Sequence, residues 1–188
     1  MKKLLLILLC LPMIGFGQIM GGKCISGDCE NGYGIYEAFH YGIDRYEGWW
    51  KDGKYHGKGT FNSDIGISYV GEWKDGNYHG KGTYSYTSDA GQSRHKIAKE
   101  WAKLVYVEGK DGILDGISIT YIGEFKDGEY DGKGKLTENY GYSYTGDFKN
   151  GKYHGKGTEI CCEVGVVEAI TLNGFWEEGE FIGEKIKE

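Results

Sequence analysis

The tetrapeptide Gly-Lys-Gly-Thr begins at Gly57, Gly80 and Gly155, with Gly-Lys-Gly-Lys at Gly132, and glycine beside lysine is a combination that phosphate-binding loops use. Such a loop requires Gly-Lys followed directly by Ser or Thr, after a strand and at the opening of a helix. Here a second glycine follows each lysine and the context is a strand, so the motif reads as architecture and nucleotide binding is not expected. His56, His79 and His154 occupy one recurring position, with Asp131 as the fourth member. Neighbouring copies lie about two strand spacings apart, ~9.6 Å, whereas ligands of a shared ion sit within ~2 Å of it. These are expected to be turn-exposed histidines, and no metal ligands are assigned. Glu72, Glu124 and Asp147 also recur at one position and read as a solvated row. No Gly-x-Ser-x-Gly, no His-Glu-x-x-His and no loop of alternating aspartates occurs. The chain is therefore expected not to be an enzyme, with no catalytic residues and no cofactor.

The elements that hold these residues are repeated. Segments Tyr46 to Thr60, Tyr69 to Thr83, Tyr121 to Lys135 and Tyr144 to Thr158 align without gaps, and the paired starts at 46 and 69, and at 121 and 144, are 23 residues apart. A fifth segment, Leu172 to Gly183, keeps the glycines, and Gly27 to Tyr36 reads as a truncated unit. Each unit decodes as a β-hairpin. In its first strand Tyr46, Gly48 and Trp50 share a face, the period-2 pattern of a half-buried strand. Asp52-Gly53, Asp75-Gly76, Asp127-Gly128 and Asn150-Gly151 fall where the chain must reverse. In the return strand Gly57, Gly59 and Phe61 are expected to share a face. Rings from one strand can lie over glycines of the next, so the structural set of the repeats is Tyr46, Gly48, Trp50, Tyr69, Gly71, Trp73, Tyr121, Gly123, Phe125, Tyr144, Gly146 and Phe148. Tyr55, Tyr78, Tyr130 and Tyr153, just after the turns, are the candidates for contact with a partner. The expected object is an elongated, single, twisted antiparallel sheet.

The pattern Tyr-x-Gly-x-Trp/Phe-x-x-Gly-x-x-x-Gly-x-Gly at this period resembles the MORN (membrane occupation and recognition nexus) repeat. The resemblance implies arrays of β-hairpins that serve as interaction or membrane-association modules, often attached to enzymes. With no catalytic pattern in the chain, it implies binding or scaffolding.

The insertion spanning 87–120 departs from the repeat. Ser93 can cap a helix in which Ile97, Trp101 and Leu104 form an apolar stripe, and Arg94, Lys96, Lys99 and Lys103 form a basic face. One inserted amphipathic helix is thus expected in an otherwise all-β fold. Lys96, Lys99, Trp101 and Lys103 are its candidates for contact with lipid or a partner groove.

Residues 1–17 read as a secretory signal peptide, with Lys2 and Lys3 before the apolar run Leu4 to Leu11 and small residues at Gly15 and Gly17. The short leader ending in Gly-Gln resembles those of exported bacterial proteins. A periplasmic, outer-envelope or extracellular location in a Gram-negative bacterium is expected. The remaining organisation is an N-terminal cap with a truncated repeat over 18–45, repeats over 46–86 and 121–160, and a C-terminal partial repeat with cap over 161–188. Removing Lys2 and Lys3 leaves 20 basic against 28 acidic residues, a charge of −8 in place of −6, which disfavours nucleic acid as a partner. Cys24 and Cys29 are expected to bridge, because the ribbon separates them from Cys161 and Cys162 and a disulfide needs Cα atoms within ~7 Å. For Cys161 and Cys162 a vicinal bridge and free thiols both stay open.

The resulting expectation is an exported, non-enzymatic platform for protein interaction or self-association. The alternatives are association with anionic phospholipid through the basic helix and repeat lysines, and binding of envelope glycan by aromatic rows.

Overall fold

The computed structural model describes residues 21–39, 42–87, 118–139, 141–161 and 169–184. They form one antiparallel sheet of 12 strands in sequential order, β1 to β12. The strands are β1 (Gly22–Gly27), β2 (Tyr33–Phe39), β3 (Ile43–Lys51), β4 (Lys54–Asn62), β5 (Ile67–Lys74) and β6 (Asn77–Thr87), then β7 (Ser118–Lys126), β8 (Glu129–Glu138), β9 (Ser143–Lys149), β10 (Lys152–Cys161), β11 (Ile170–Glu177) and β12 (Glu180–Gly183). At ~4.8 Å between neighbours this meander spans about 50 Å.

The sheet is all-β and open, and its described part contains no helix. This corrects the expectation of an inserted amphipathic helix. The strands flanking the insertion, β6 and β7, pair directly from Gly80 opposite Phe125 to Thr87 opposite Ser118. The ladder therefore runs past the insertion as if the two repeats were contiguous. Lys96, Lys99, Trp101 and Lys103 lie in 88–117, outside the described residues.

Each hairpin reverses where Asp-Gly or its equivalent was expected. Asp52, Asp75, Asp127, Asn150 and Glu178 have φ of 50–52°, and the glycine after each is also positive, as a type I′ turn requires at both central positions. The turns line up along one edge and are tied to one another. The N–H of Gly76 donates to the carbonyl of Tyr55, that of Gly128 to Tyr78, that of Gly151 to Tyr130 and that of Gly179 to Tyr153, each at 2.9 Å.

The return strands are bulged, which corrects the simple alternation. In β4 the register jumps from His56 opposite Trp49 to Gly59 opposite Gly48. Gly57 sits in the bulge with φ +61°, and a Cβ there would press on Trp49, away from the face that Gly59 and Phe61 share. A bulge permits this because it turns one residue out of the pleat.

The core is one face of this single sheet. Tyr46, Tyr69, Tyr121 and Tyr144 are fully buried, and Trp50, Phe61, Trp73, Phe125, Phe148 and Trp176 are nearly so. The Tyr46 ring lies over Gly48 and Gly59, whose Cβ atoms it would exclude. Its hydroxyl donates to the Trp49 carbonyl at 2.9 Å, and the hydroxyls of Tyr69, Tyr121 and Tyr144 likewise reach the carbonyl three residues on, at 2.8–3.1 Å. The acceptor sits at the bulge, where the ladder is interrupted. The Trp73 indole N–H donates to the carbonyl of Gly59 on the strand before it, at 3.2 Å. Rings thus cover glycine backbone and satisfy polar groups in one arrangement.

Cys24 and Cys29 are joined, with Cα atoms 6.0 Å apart. The bridge fastens β1, exposed along its whole length, to the loop before β2. Replacing both with Ser should cost about 2 kcal/mol by the loop-entropy account. Hydrogen exchange should show the loss at β1 and β2 only, since each hairpin contacts just its neighbours. Faster exchange at β9 to β12 would contradict that nearest-neighbour picture.

Candidate functional site

Tyr55, Tyr78, Tyr130 and Tyr153, expected to meet a partner, are instead part of the packed face. Tyr55 stacks on Tyr46 with centroids 3.7 Å apart, Tyr78 on Tyr69 at 4.0 Å, Tyr130 on Tyr121 at 3.8 Å and Tyr153 on Tyr144 at 3.8 Å. Tyr130 and Tyr153 are buried outright. The reason is pairing across the turn: Trp50 stands opposite Tyr55 and Trp73 opposite Tyr78, so each tyrosine inherits the face of the tryptophan it meets. Burial, the main cause, pushes the phenols of Tyr46, Tyr55, Tyr69, Tyr121, Tyr144 and Tyr153 well above the ordinary tyrosine range.

Near the loop end of this face Tyr142 forms a short relay. Its hydroxyl lies 2.7 Å from Glu159 Oε1 and 2.8 Å from the Tyr153 hydroxyl. Tyr142 donates to the carboxylate, so Tyr153 donates to Tyr142, and both protons are used inside the chain. Burial, helped by Tyr153 and Glu159, raises the Tyr142 phenol well above its usual range. This cluster closes the core face and offers no unspent acid.

His56, His79 and His154 are half-buried, not turn-exposed. His56 Nδ1 is 3.8 Å from Asp75 Oδ1, and His79 Nδ1 is 3.8 Å from Asp127 Oδ1, so each faces the turn of the next hairpin. Among the described residues no three histidine, cysteine or acidic side chains converge as a metal set would. Cys161 ends β10 half-buried, and Cys162 lies outside the described residues.

The carboxylates Glu72 and Asp147 do more than face water. Glu72 Oε1 accepts the backbone N–H of Lys81, and Asp147 Oδ2 that of Lys156, both at 3.2 Å, and so they cap the bulges. Across the strands Lys58 stands opposite Glu72, Lys81 opposite Glu124 and Lys133 opposite Asp147, the last pair 2.8 Å apart. Opposite charges alternate along the outer face and leave no basic stripe.

What that face leaves open is apolar. Thr60, Val70, Thr83 and Ile122 stand opposite one another in an unbroken row across β4 to β7. Val70 is 53% exposed and Ile122 57%. Neither stands out in the sequence, where the aromatic rows dominate the repeat pattern. The signal was present: each is a β-branched residue next to the core tyrosine, hence on the other face.

The family profile of the MORN repeat matches residues 46–66, 69–90, 121–137 and 144–163. The chain is a MORN-repeat protein. Its matched MORN repeats supply β3 to β10, while β1, β2, β11 and β12 extend the same sheet beyond the matched stretches. The hairpin of β11 and β12 keeps the MORN logic, with Trp176 buried and a Glu178-Gly179 turn of positive φ. No curated protein matches the chain.

Proposed function

We propose that this MORN-repeat protein is an exported, non-enzymatic scaffold whose outer sheet face holds a protein partner or a second copy of the chain. The observation that carries this reading is the division of labour between the faces. The aromatic face is consumed by its own rings, while the row Thr60, Val70, Thr83 and Ile122 presents β-branched side chains flat to solvent. The row itself carries no charge and is flanked by Glu47, Lys58, Glu72, Lys81, Glu124 and Lys135, the composition of an interface centre with a charged rim. The Cys24–Cys29 bridge supports export, since such bonds persist in oxidising compartments. Lipid binding by the repeat lysines is the weaker reading, because Lys58, Lys81 and Lys133 each face a carboxylate.

The test is the double variant Val70→Asp with Ile122→Asp. Both side chains point away from the core, so the thermal midpoint should hold. Sedimentation should report loss of any self-association, and capture of a partner from envelope extract should fall at least about tenfold, the effect of roughly 1.4 kcal/mol. Unchanged capture and unchanged sedimentation by the double variant would refute the proposal.

A further inference from the structure

Position 49 breaks the repeat. In the three later matched repeats the residue at that place is Glu72, Glu124 or Asp147, and Glu72 and Asp147 hold a bulge N–H. An indole carries a donor and no acceptor, so it cannot take over that bond. The residue found there is Trp49, on the outer face and 53% exposed. Trp50, Trp73 and Trp176 are buried, which makes Trp49 the one tryptophan among the described residues that is open to solvent.

Its surroundings are ordered. Tyr33, on β2 and 48% exposed, meets Trp49 in a T-shaped contact with centroids 5.8 Å apart and planes at 80°. A T-shaped pair uses the face of one ring and the edge of the other, so most of the ring surface stays available. The Tyr33 hydroxyl donates to Glu47 Oε1 at 3.0 Å, and Arg45 Nη2 lies 2.9 Å from Glu47 Oε2. The guanidinium and carboxylate cancel one another's charge. Tyr33 thus links the indole to an ion pair with spare N–H donors and oxygen lone pairs, and with Glu37 opposite Arg45 and Lys23 opposite Glu37 the charges of the patch balance.

We propose that Trp49, Tyr33, Arg45 and Glu47 form a subsite for a neutral saccharide. A pyranose ring would lay its C–H face on the indole and direct its hydroxyls at Tyr33 and Glu47, and a further sugar of the chain would meet Arg45, about 13 Å along β3. Each half of that ligand matches a half of the site: a flat apolar face for the open ring, and groups that both donate and accept for a charge-neutral pair that does the same. The subsite adjoins the Val70 and Ile122 row, since Glu47 stands opposite Thr60, but Trp49→Ala leaves Val70 and Ile122 in place and the Val70→Asp, Ile122→Asp variant leaves Trp49 in place, so failure of either reading shows by itself.

The experiment titrates the full chain with cellohexaose, chitohexaose and, as a charged comparator, a galacturonic acid hexamer, following by NMR the Trp49 indole N–H in the native chain and the backbone amides of Tyr33, Arg45 and Glu47 in the native chain and every variant. At least one neutral hexamer should bind with a dissociation constant on the order of 1 mM, little changed by added salt. Trp49→Ala should weaken binding at least about tenfold, and Trp49→Phe should retain much of it. Because Trp49 is exposed, both variants should fold, and their thermal midpoints serve as the control. Binding by neither neutral hexamer, equal binding by Trp49→Ala, or preference for the charged hexamer would each overturn the proposal. So would a Trp49-dependent capture of envelope protein in the absence of saccharide binding, which would assign the ring to a protein contact.

Discussion

Raising the pH to about 11 should unfold the sheet in one steep transition, with tyrosinate absorbance and the loss of β circular dichroism rising together. Tyr46, Tyr69, Tyr121, Tyr144 and Tyr153 are buried, and burial holds each phenol protonated well past its usual titration range. In the unfolded chain the same groups lose their protons near pH 10. Above that pH the unfolded state binds fewer protons than the folded one, so stability falls as pH rises. The contribution is fully present below pH 10 and drains away as the pH climbs toward the raised values. Five groups acting together give a slope of about 7 kcal/mol per pH unit once the unfolded phenols have ionised. A domain stable by roughly 5–15 kcal/mol then fails within about one to two units. Replacing Tyr69 and Tyr121 with Phe should make the transition shallower, since two titrating groups are gone. Gradual ionisation beginning near pH 10 over an intact β spectrum would mean that the rings are in water, and the account of the core would fail with it.

How much of this was readable beforehand depends on whether a feature is local or made by pairing. The inward set of Tyr46, Gly48 and Trp50 follows from strand alternation alone, and the structure places those residues together on the packed face. The turns also announce themselves, because Asp52-Gly53 and its copies need positive φ. Tyr55 was misplaced since its face depends on its partner: the two-residue turn sets Lys54 opposite Lys51 and therefore Tyr55 opposite Trp50. Gly57 was misplaced because a bulge resets the alternation, and no count of odd and even positions registers one. The stripe of Ile97, Trp101 and Leu104 suggested a helix; it lies outside the described residues, and the described sheet is built without one, β6 pairing directly with β7. Trp49 was hidden beside Trp50. Two adjacent aromatics in a strand must face opposite ways, and only the comparison with Glu72, Glu124 and Asp147 marks the outward one as a departure.

Gly82→Ala, the addition of a single methyl group, should destabilise the protein by about 3 kcal/mol or more and lower the thermal midpoint by roughly 10 °C. A Cβ at Gly82 would come within 2.6 Å of the Tyr69 ring at Cζ and 2.7 Å at Cε2. That ring has nowhere to go. It is stacked on Tyr78 at 4.0 Å, set against Trp73 at 5.0 Å and Phe125 at 5.2 Å, and held by its bond to the Glu72 carbonyl at 2.8 Å. Backbone offers no relief either, because Gly82 pairs with Gly71, and a Cβ on that partner would meet the Gly82 Cα at 2.6 Å. The control is Gly76→Ala, where φ is +87° and no atom lies within 4 Å. That substitution should cost only about 1–2 kcal/mol of left-handed backbone strain. A double-mutant cycle separates the two causes: if the ring is the obstacle, Tyr69→Leu should relieve part of the Gly82→Ala penalty, with a coupling of at least about 1 kcal/mol. Strictly additive effects would mean that the Tyr69 ring is not the obstacle. Because each hairpin leans only on its neighbours, hydrogen exchange in Gly82→Ala should accelerate first in β5 to β7, while β9 to β12 keep their protection.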